Sequence, residues 1–140
     1  MRQTDVLVID HSTLFLAVVR YFLHMCGDGR FAVQTASTVS ETENLTWLHP
    51  DLVLTDIKRP GGGLGTITHL RQQFPHAGII VLSRVDRHGF RAAVAKAGAD
   101  ACVSKTNLHT GLLPTMFAVL RQRGRSAPAD AVVGSLREAP

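Results

Sequence analysis

Four short apolar runs in this 140-residue chain each end in a residue that can do chemistry. Val6-Leu7-Val8-Ile9 ends in Asp10, Leu52-Val53-Leu54-Thr55 in Asp56, Ile79-Ile80-Val81-Leu82 in Ser83, and Ala101-Cys102-Val103-Ser104 in Lys105. Open α/β sheets bind ligands outside the carboxyl ends of their strands. Two acids, a hydroxyl and an amine therefore converge on one sheet edge. Asp56 is the most informative of the four, because Ile57-Lys58-Arg59-Pro60-Gly61-Gly62-Gly63 follows it at once as a loop rich in cations and glycine.

The elements that must position these groups can be read from the pattern. Apolar runs of four to six residues alternate with longer stretches of helical period, the signature of repeated βαβ units and a parallel sheet. Strands are expected at residues 5–9, 31–36, 51–55, 78–82 and 100–104. The first helix, about 13–25, carries Leu14, Ala17, Val18, Tyr21, Phe22 and Met25 at spacings of three and four, an amphipathic stripe. Thr38 and Glu41 form a capping-box pattern for a second helix that His49-Pro50 ends. A third spans about 64–74 and a fourth about 86–97, stopped by Gly98. The fifth is capped by Thr106-Asn107 and lined by Leu112, Leu113, Met116, Phe117 and Leu120; Pro114 fits it in the first turn or with a slight kink. The pattern predicts one domain over 1–124 and a mobile tail over 125–140, too poor in apolar residues to fold alone.

Composition narrows the class. Hydrophobic residues at 45% and charged residues at 19% describe a globular chain, and no apolar stretch reaches the ~20 residues of a membrane span. Nor does the amino terminus carry a signal-peptide core, so a cytoplasmic location is expected. The net charge of +4 owes three units to Arg121, Arg123 and Arg125, which argues against a nucleic-acid surface on the body of the domain. Cys26 and Cys102 read as buried thiols rather than a metal knuckle or disulfide. Gly61-Gly62-Gly63-Leu64-Gly65 lacks the spacing of either common phosphate-binding loop, and His24, His49, His69, His76, His88 and His109 stand at no metal-ligand spacing.

The segment from Pro50 to Ile57 with Pro60-Gly61 beyond it, and Ala97-Gly98-Ala99-Asp100-Ala101-Cys102-Val103-Ser104-Lys105, resemble the receiver domain of bacterial two-component response regulators. The resemblance covers residues 5 to about 122. It implies a flavodoxin-like doubly wound (βα)5 fold, strand order 2-1-3-4-5, with Asp10 and Asp56 across the switch point between strands one and three. It also implies that Asp56 accepts a phosphoryl group from a histidine kinase or phosphotransfer protein. Mg²⁺ would be held by Asp10, Asp56 and the backbone carbonyl of Lys58. Ser83 and Lys105 would contact the phosphoryl oxygens, and the response would be a change across helix four, strand five and helix five that a downstream protein reads.

The chain departs from that family at several positions. Asp10 is followed by His11 where a second acid is usual; losing that charge about 4 Å from Mg²⁺ weakens binding by roughly tenfold or more. His11 either makes, with Asp10 and Asp56, a mixed site suited to Mn²⁺ or another imidazole-tolerant metal, or is a plain loop histidine. Cys102 stands in place of the switch aromatic, and Arg84 in place of a small residue. Either Arg84 or Lys58 could pair with Asp56 without phosphate and modulate the site. Three functions follow: a single-domain receiver in a phosphorelay, a degenerate receiver that binds its partner without phosphorylation, and the receiver portion of a longer DNA-binding regulator. No helix-turn-helix lies in the sequence, so direct nucleic-acid binding is not expected of these residues. Catalysis on an external substrate is not expected either, and a homodimer stays open.

Overall fold

The computed structural model describes residues 2–45, 48–57, 63–84 and 89–124. Five strands and five helices alternate: β1 (Thr4–Ile9), α1 (Thr13–Cys26), β2 (Phe31–Ala36), α2 (Val39–Thr42), β3 (Leu52–Thr55), α3 (Gly63–Gln73), β4 (Gly78–Ser83), α4 (Phe90–Ala97), β5 (Ala101–Ser104) and α5 (Leu108–Gln122). A 3₁₀ turn, Lys105–Asn107, joins β5 to α5. The strands form one parallel sheet in the order β2-β1-β3-β4-β5, as expected of a flavodoxin-like fold.

Strand periodicity sorts side chains onto two cores. Val6, Val8, Leu52, Leu54, Ile80 and Leu82 pack with Leu16, Val19 and Leu23 of α1 and Leu112, Met116, Val119 and Leu120 of α5. Leu7, Ile9, Val53, Ile79 and Val81 face the other way, onto Ile67 and Leu70 of α3 and Val94 of α4. Central strands β3 and β4 are buried along their whole length, which is why they read as continuous apolar runs instead of alternating ones.

The stripe expected to bury α1 is largely its solvent face. Leu14, Val18, Tyr21 and Met25 are exposed, while Leu16, Val19 and Leu23 enter the core with Phe15 and Phe22 at its margin. The helix carries two apolar faces, so spacing alone could not choose between them, and packing against the sheet did. The α2 helix is also shorter than expected. Thr38 Oγ1 accepts from the Glu41 N–H and Glu41 Oε1 from the Ser37 N–H, so the start is capped as read. Gln73 Nε2 then donates to the Thr42 carbonyl, and the Leu45 and Leu48 amides close tighter turns on residues three back.

Pro114 lies in the interior of α5, not its first turn. It withholds an N–H from the Thr110 carbonyl, and the burial of Leu112, Met116, Val119 and Leu120 outweighs that loss. Cys26 is exposed and Cys102 half-buried, so neither is the fully buried thiol that the sequence suggested. Trp47, the loop from Lys58 to Gly62, residues 85–88 and the expected tail at 125–140 lie outside the described residues.

A polar clamp holds the lower end of the domain. Arg71 Nη2 donates to Asp100 Oδ2 at 2.9 Å, and Arg123 Nη2 to Asp100 Oδ1 at 2.8 Å, joining the ends of α3 and α5 to the start of β5. Arg71 also donates to the carbonyls of Gly98 and Ala77. Burial, then the nearby charge of Arg123, lowers the Arg71 pKa from the usual guanidinium value, against the opposing pull of Asp100. Gly98 closes α4 at φ 122°, a conformation that disfavours any side chain.

Candidate functional site

Parallel pairing places the two acids side by side. Ile9 is in register with Thr55, and the ladder runs one step further: the Asp10 N–H donates to the Ala36 carbonyl and the Asp56 N–H to the Ile9 carbonyl, both at 3.1 Å. After Asp10 the chain crosses to the α1 face of the sheet, and after Asp56 it leads to the α3 face. The carboxylates therefore stand where the winding direction reverses, the point at which doubly wound sheets open a crevice.

Asp10 is 1% exposed, yet its charge is matched. Its Oδ1 accepts the Ser12 N–H at 2.8 Å and its Oδ2 accepts from Lys105 Nζ at 2.7 Å. The Lys105 side chain is itself buried, with Nζ 3.6 Å from Asp56 Oδ1 and 4.4 Å from the centroid of the Phe15 ring. An ammonium held between two carboxylates and an aromatic face is fixed in place. The 3₁₀ turn after β5 and the alternation of that strand turn Lys105 toward α1, away from Cys102.

His11 adds a second contact. Its Nδ1 lies 2.9 Å from Asp56 Oδ2 and 3.5 Å from Asp10 Oδ1, on a ring more than half exposed. With its proton on Nδ1 the imidazole donates to Asp56. Ser12 caps α1, its Oγ accepting the Phe15 N–H at 3.1 Å, so the helix begins with its positive pole toward the acids.

Ser83 ends β4, 4% exposed, in register with Ser104, one residue before Lys105. Cys102 packs against the core under α3 and α4, and its carbonyl accepts from Arg91 Nη1 at 2.9 Å. No aromatic ring stands there to rotate with Ser83. Arg84 is exposed, and His11 Nδ1 and Lys105 Nζ lie within 4 Å of the Asp56 carboxylate. Lys58, whose carbonyl was expected to bind metal and whose side chain was the alternative partner, lies outside the described residues.

Asp10, Asp56 and Lys105 are thus brought together as the strand ends implied. The role of Phe15 was not visible in the sequence, where it reads as one more apolar residue of α1. The Ser12 cap could have been found from a serine just before a helical stretch. One ligand atom from each of Asp10, His11 and Asp56 fits within a span of 4.8 Å, and two carboxylates beside a crevice fit a divalent cation. At its other extreme the set could bind phosphate, through the Lys105 ammonium and the start of α1.

The fold and site define an open parallel α/β domain with paired acids and a lysine at its switch point. The chain belongs to the response regulator receiver domain family, whose sequence profile matches residues 6–115. It is 32% identical over 127 residues to the transcriptional regulatory protein PrrA of Mycobacterium leprae, covering 89% of this chain and 53% of that protein. It is 28% identical over 102 residues to the DNA-binding transcriptional activator EvgA of Escherichia coli, covering 72% of this chain and 50% of the relative. The chain spans about half the length of these curated relatives. A response regulator from Thermotoga maritima superposes with a TM-score of 0.75 at 25% identity, over 85% of this chain and 98% of that one. A CheY-like receiver domain protein from Methanospirillum hungatei gives 0.75 at 22% identity over 87% and 97%, a likeness of fold. Receiver domains of this family are signalling modules of two-component systems. Among the described residues no helix is long and apolar enough to cross a membrane.

Proposed function

We propose that this receiver accepts a phosphoryl group on Asp56 from the phosphohistidine of a kinase or phosphotransfer protein. The observation that carries the reading is the buried Lys105 ammonium, 2.7 Å from Asp10 Oδ2 and 3.6 Å from Asp56 Oδ1. A carboxylate attacking an anionic phosphoryl group needs positive charge already in place. An Asp56 oxygen forms the new O–P bond as the donor's P–N bond breaks, and the departing imidazole keeps the electron pair and takes up a proton. Lys105 moves from the carboxylates to the incoming phosphoryl oxygens, and Ser83 donates a hydrogen bond to one of them. A dication held by Asp10 and Asp56 would neutralise charge on the transferring group.

The added charge of roughly −1.5 to −2 biases the β4–α4 connection. A downstream protein reads the result across α4, β5 and α5. The chain acts on no external substrate in this reading, and its location is the cytoplasm, where ATP-fed phosphohistidine donors form. PrrA and EvgA are named as transcriptional regulators, which supports a further reading in which these residues are the receiver part of a DNA-binding protein.

A second reading is favoured by the contact between His11 Nδ1 and Asp56 Oδ2 at 2.9 Å. With His11 on Asp56 and Lys105 on Asp10, the acids already have partners, and the domain could bind its target unphosphorylated. Incubation with a small phosphodonor and Mg²⁺ or Mn²⁺, followed by intact-mass measurement, separates the two. An adduct of one HPO₃ in the wild type and none in Asp56→Asn supports phosphorylation. No adduct with either metal leaves the phosphorylation-independent module.

A further inference from the structure

His11 is the residue that sets this site apart chemically, and its geometry suits it to bind a metal ion. Donors held about 2.1 Å from a common ion stand about 3.0 Å apart at right angles and about 3.4 Å apart at the tetrahedral angle. The observed separations from His11 Nδ1 are 2.9 Å to Asp56 Oδ2 and 3.5 Å to Asp10 Oδ1. The nitrogen is therefore spaced to share an ion with either oxygen, and the three donors lie within 4.8 Å of one another.

The donors are also able to accept one. Asp10 Oδ1 uses one lone pair on the Ser12 N–H and keeps another. The proton on His11 Nδ1 can pass to Nε2, since the ring is more than half exposed and water reaches its outer edge. Binding then replaces the His11–Asp56 hydrogen bond with metal bonds from Asp10, His11 and Asp56.

The charge balance decides which ion. Beside two carboxylates and the Lys105 ammonium, the third donor is an imidazole nitrogen, which brings no negative charge. That is poor compensation for Mg²⁺, a hard ion that takes oxygen and gains little from imidazole nitrogen. Borderline first-row dications gain a strong bond from the same nitrogen.

We propose that Asp10, His11 and Asp56 form a site selective for a first-row transition dication, in the series from Mn²⁺ to Zn²⁺, over Mg²⁺, with His11 Nδ1 as the selecting ligand. This rests on the reading that the Asp10–Asp56 pair holds a cation, but not on phosphorylation of Asp56.

The experiment uses the full untagged chain without phosphodonor. Mn²⁺ and Mg²⁺ are titrated calorimetrically against wild type, His11→Ala and His11→Asp, and the Mn²⁺ complexes are examined by pulsed electron paramagnetic resonance for ¹⁴N coupling. Wild type is expected to show imidazole coupling, lost in both variants. His11→Asp is expected to bind Mg²⁺ at least ~10-fold more tightly than wild type, and its preference for Mn²⁺ over Mg²⁺ to shrink by ~10-fold. Far-UV circular dichroism checks that the variants fold. Coupling that survives in His11→Ala, or one Mn²⁺/Mg²⁺ ratio in wild type and His11→Asp alike, overturns the proposal. Weak binding of both ions to every protein removes the cation site itself, and the phosphodonor measurement then judges Asp56 separately.

Discussion

Asp100→Ala tests how the domain keeps its site in register. The Asp100 carboxylate accepts the Ile79 N–H at 2.8 Å, Arg71 Nη2 at 2.9 Å, and Arg123 through Nη2 at 2.8 Å and Nε at 3.0 Å. Its side chain is 15% exposed, those of Arg71 and Arg123 22% and 28%. Removing one partner of a fully buried pair costs about 3–5 kcal/mol, and an exposed pair about 0–1. Here the guanidinium groups keep some water, and Arg71 keeps the carbonyls of Gly98 and Ala77, so the cost falls to about 2–3 kcal/mol. Asp100→Asn keeps an acceptor for Ile79 and loses about half as much. Equilibrium urea unfolding followed by far-UV circular dichroism should show the Asp100→Ala midpoint lowered by about 1.5 M at unchanged slope. A cycle with Arg123→Ala should give a coupling of about 1 kcal/mol. A cost below about 0.5 kcal/mol, or strict additivity, would refute the clamp.

Gly78→Ala should lower stability by about 1–3 kcal/mol in thermal unfolding, because a Cβ there would run into Val119 and come within 2.9 Å of Leu52 Cδ2. Leu14→Ser combined with Met25→Gln should change stability by less than about 0.5 kcal/mol in the same assay, since both side chains lie on the solvent face of α1. Lys105→Ala should slow phosphoryl adduct formation from a small donor by roughly 10²-fold, measured as a mass time course, while the far-UV spectrum keeps its helical shape. An unchanged rate would remove Lys105 from the proposed chemistry.

The strands were legible because β3 and β4 are buried on both faces and leave uninterrupted apolar runs, and because each ends in a polar residue. Those ends also made the meeting of Asp10, Asp56 and Lys105 legible. The buried face of α1 was not, since Leu14, Val18, Tyr21 and Met25 compete with Leu16, Val19 and Leu23 for the same period. The early end of α2 depends on Gln73, thirty-one residues from Thr42, which no local pattern reports. Asp100 stood in a recognisable segment, but its reason is tertiary: arginines from two other elements converge on it. Likewise the sequence raised His11 as a metal ligand but could not show its Nδ1 turned toward both carboxylates, nor Phe15 beneath the Lys105 ammonium.

The central claim is that Asp56 itself receives the phosphoryl group. Borohydride reduction of protein treated with phosphodonor, followed by peptide mass mapping, tests it directly, because an acyl phosphate is reduced to an alcohol and an untouched carboxylate is not. Homoserine is expected at position 56 in the wild type and an unmodified peptide in Asp56→Asn. Reduction at Asp10 or elsewhere, or none under conditions that modify another receiver domain, would contradict it.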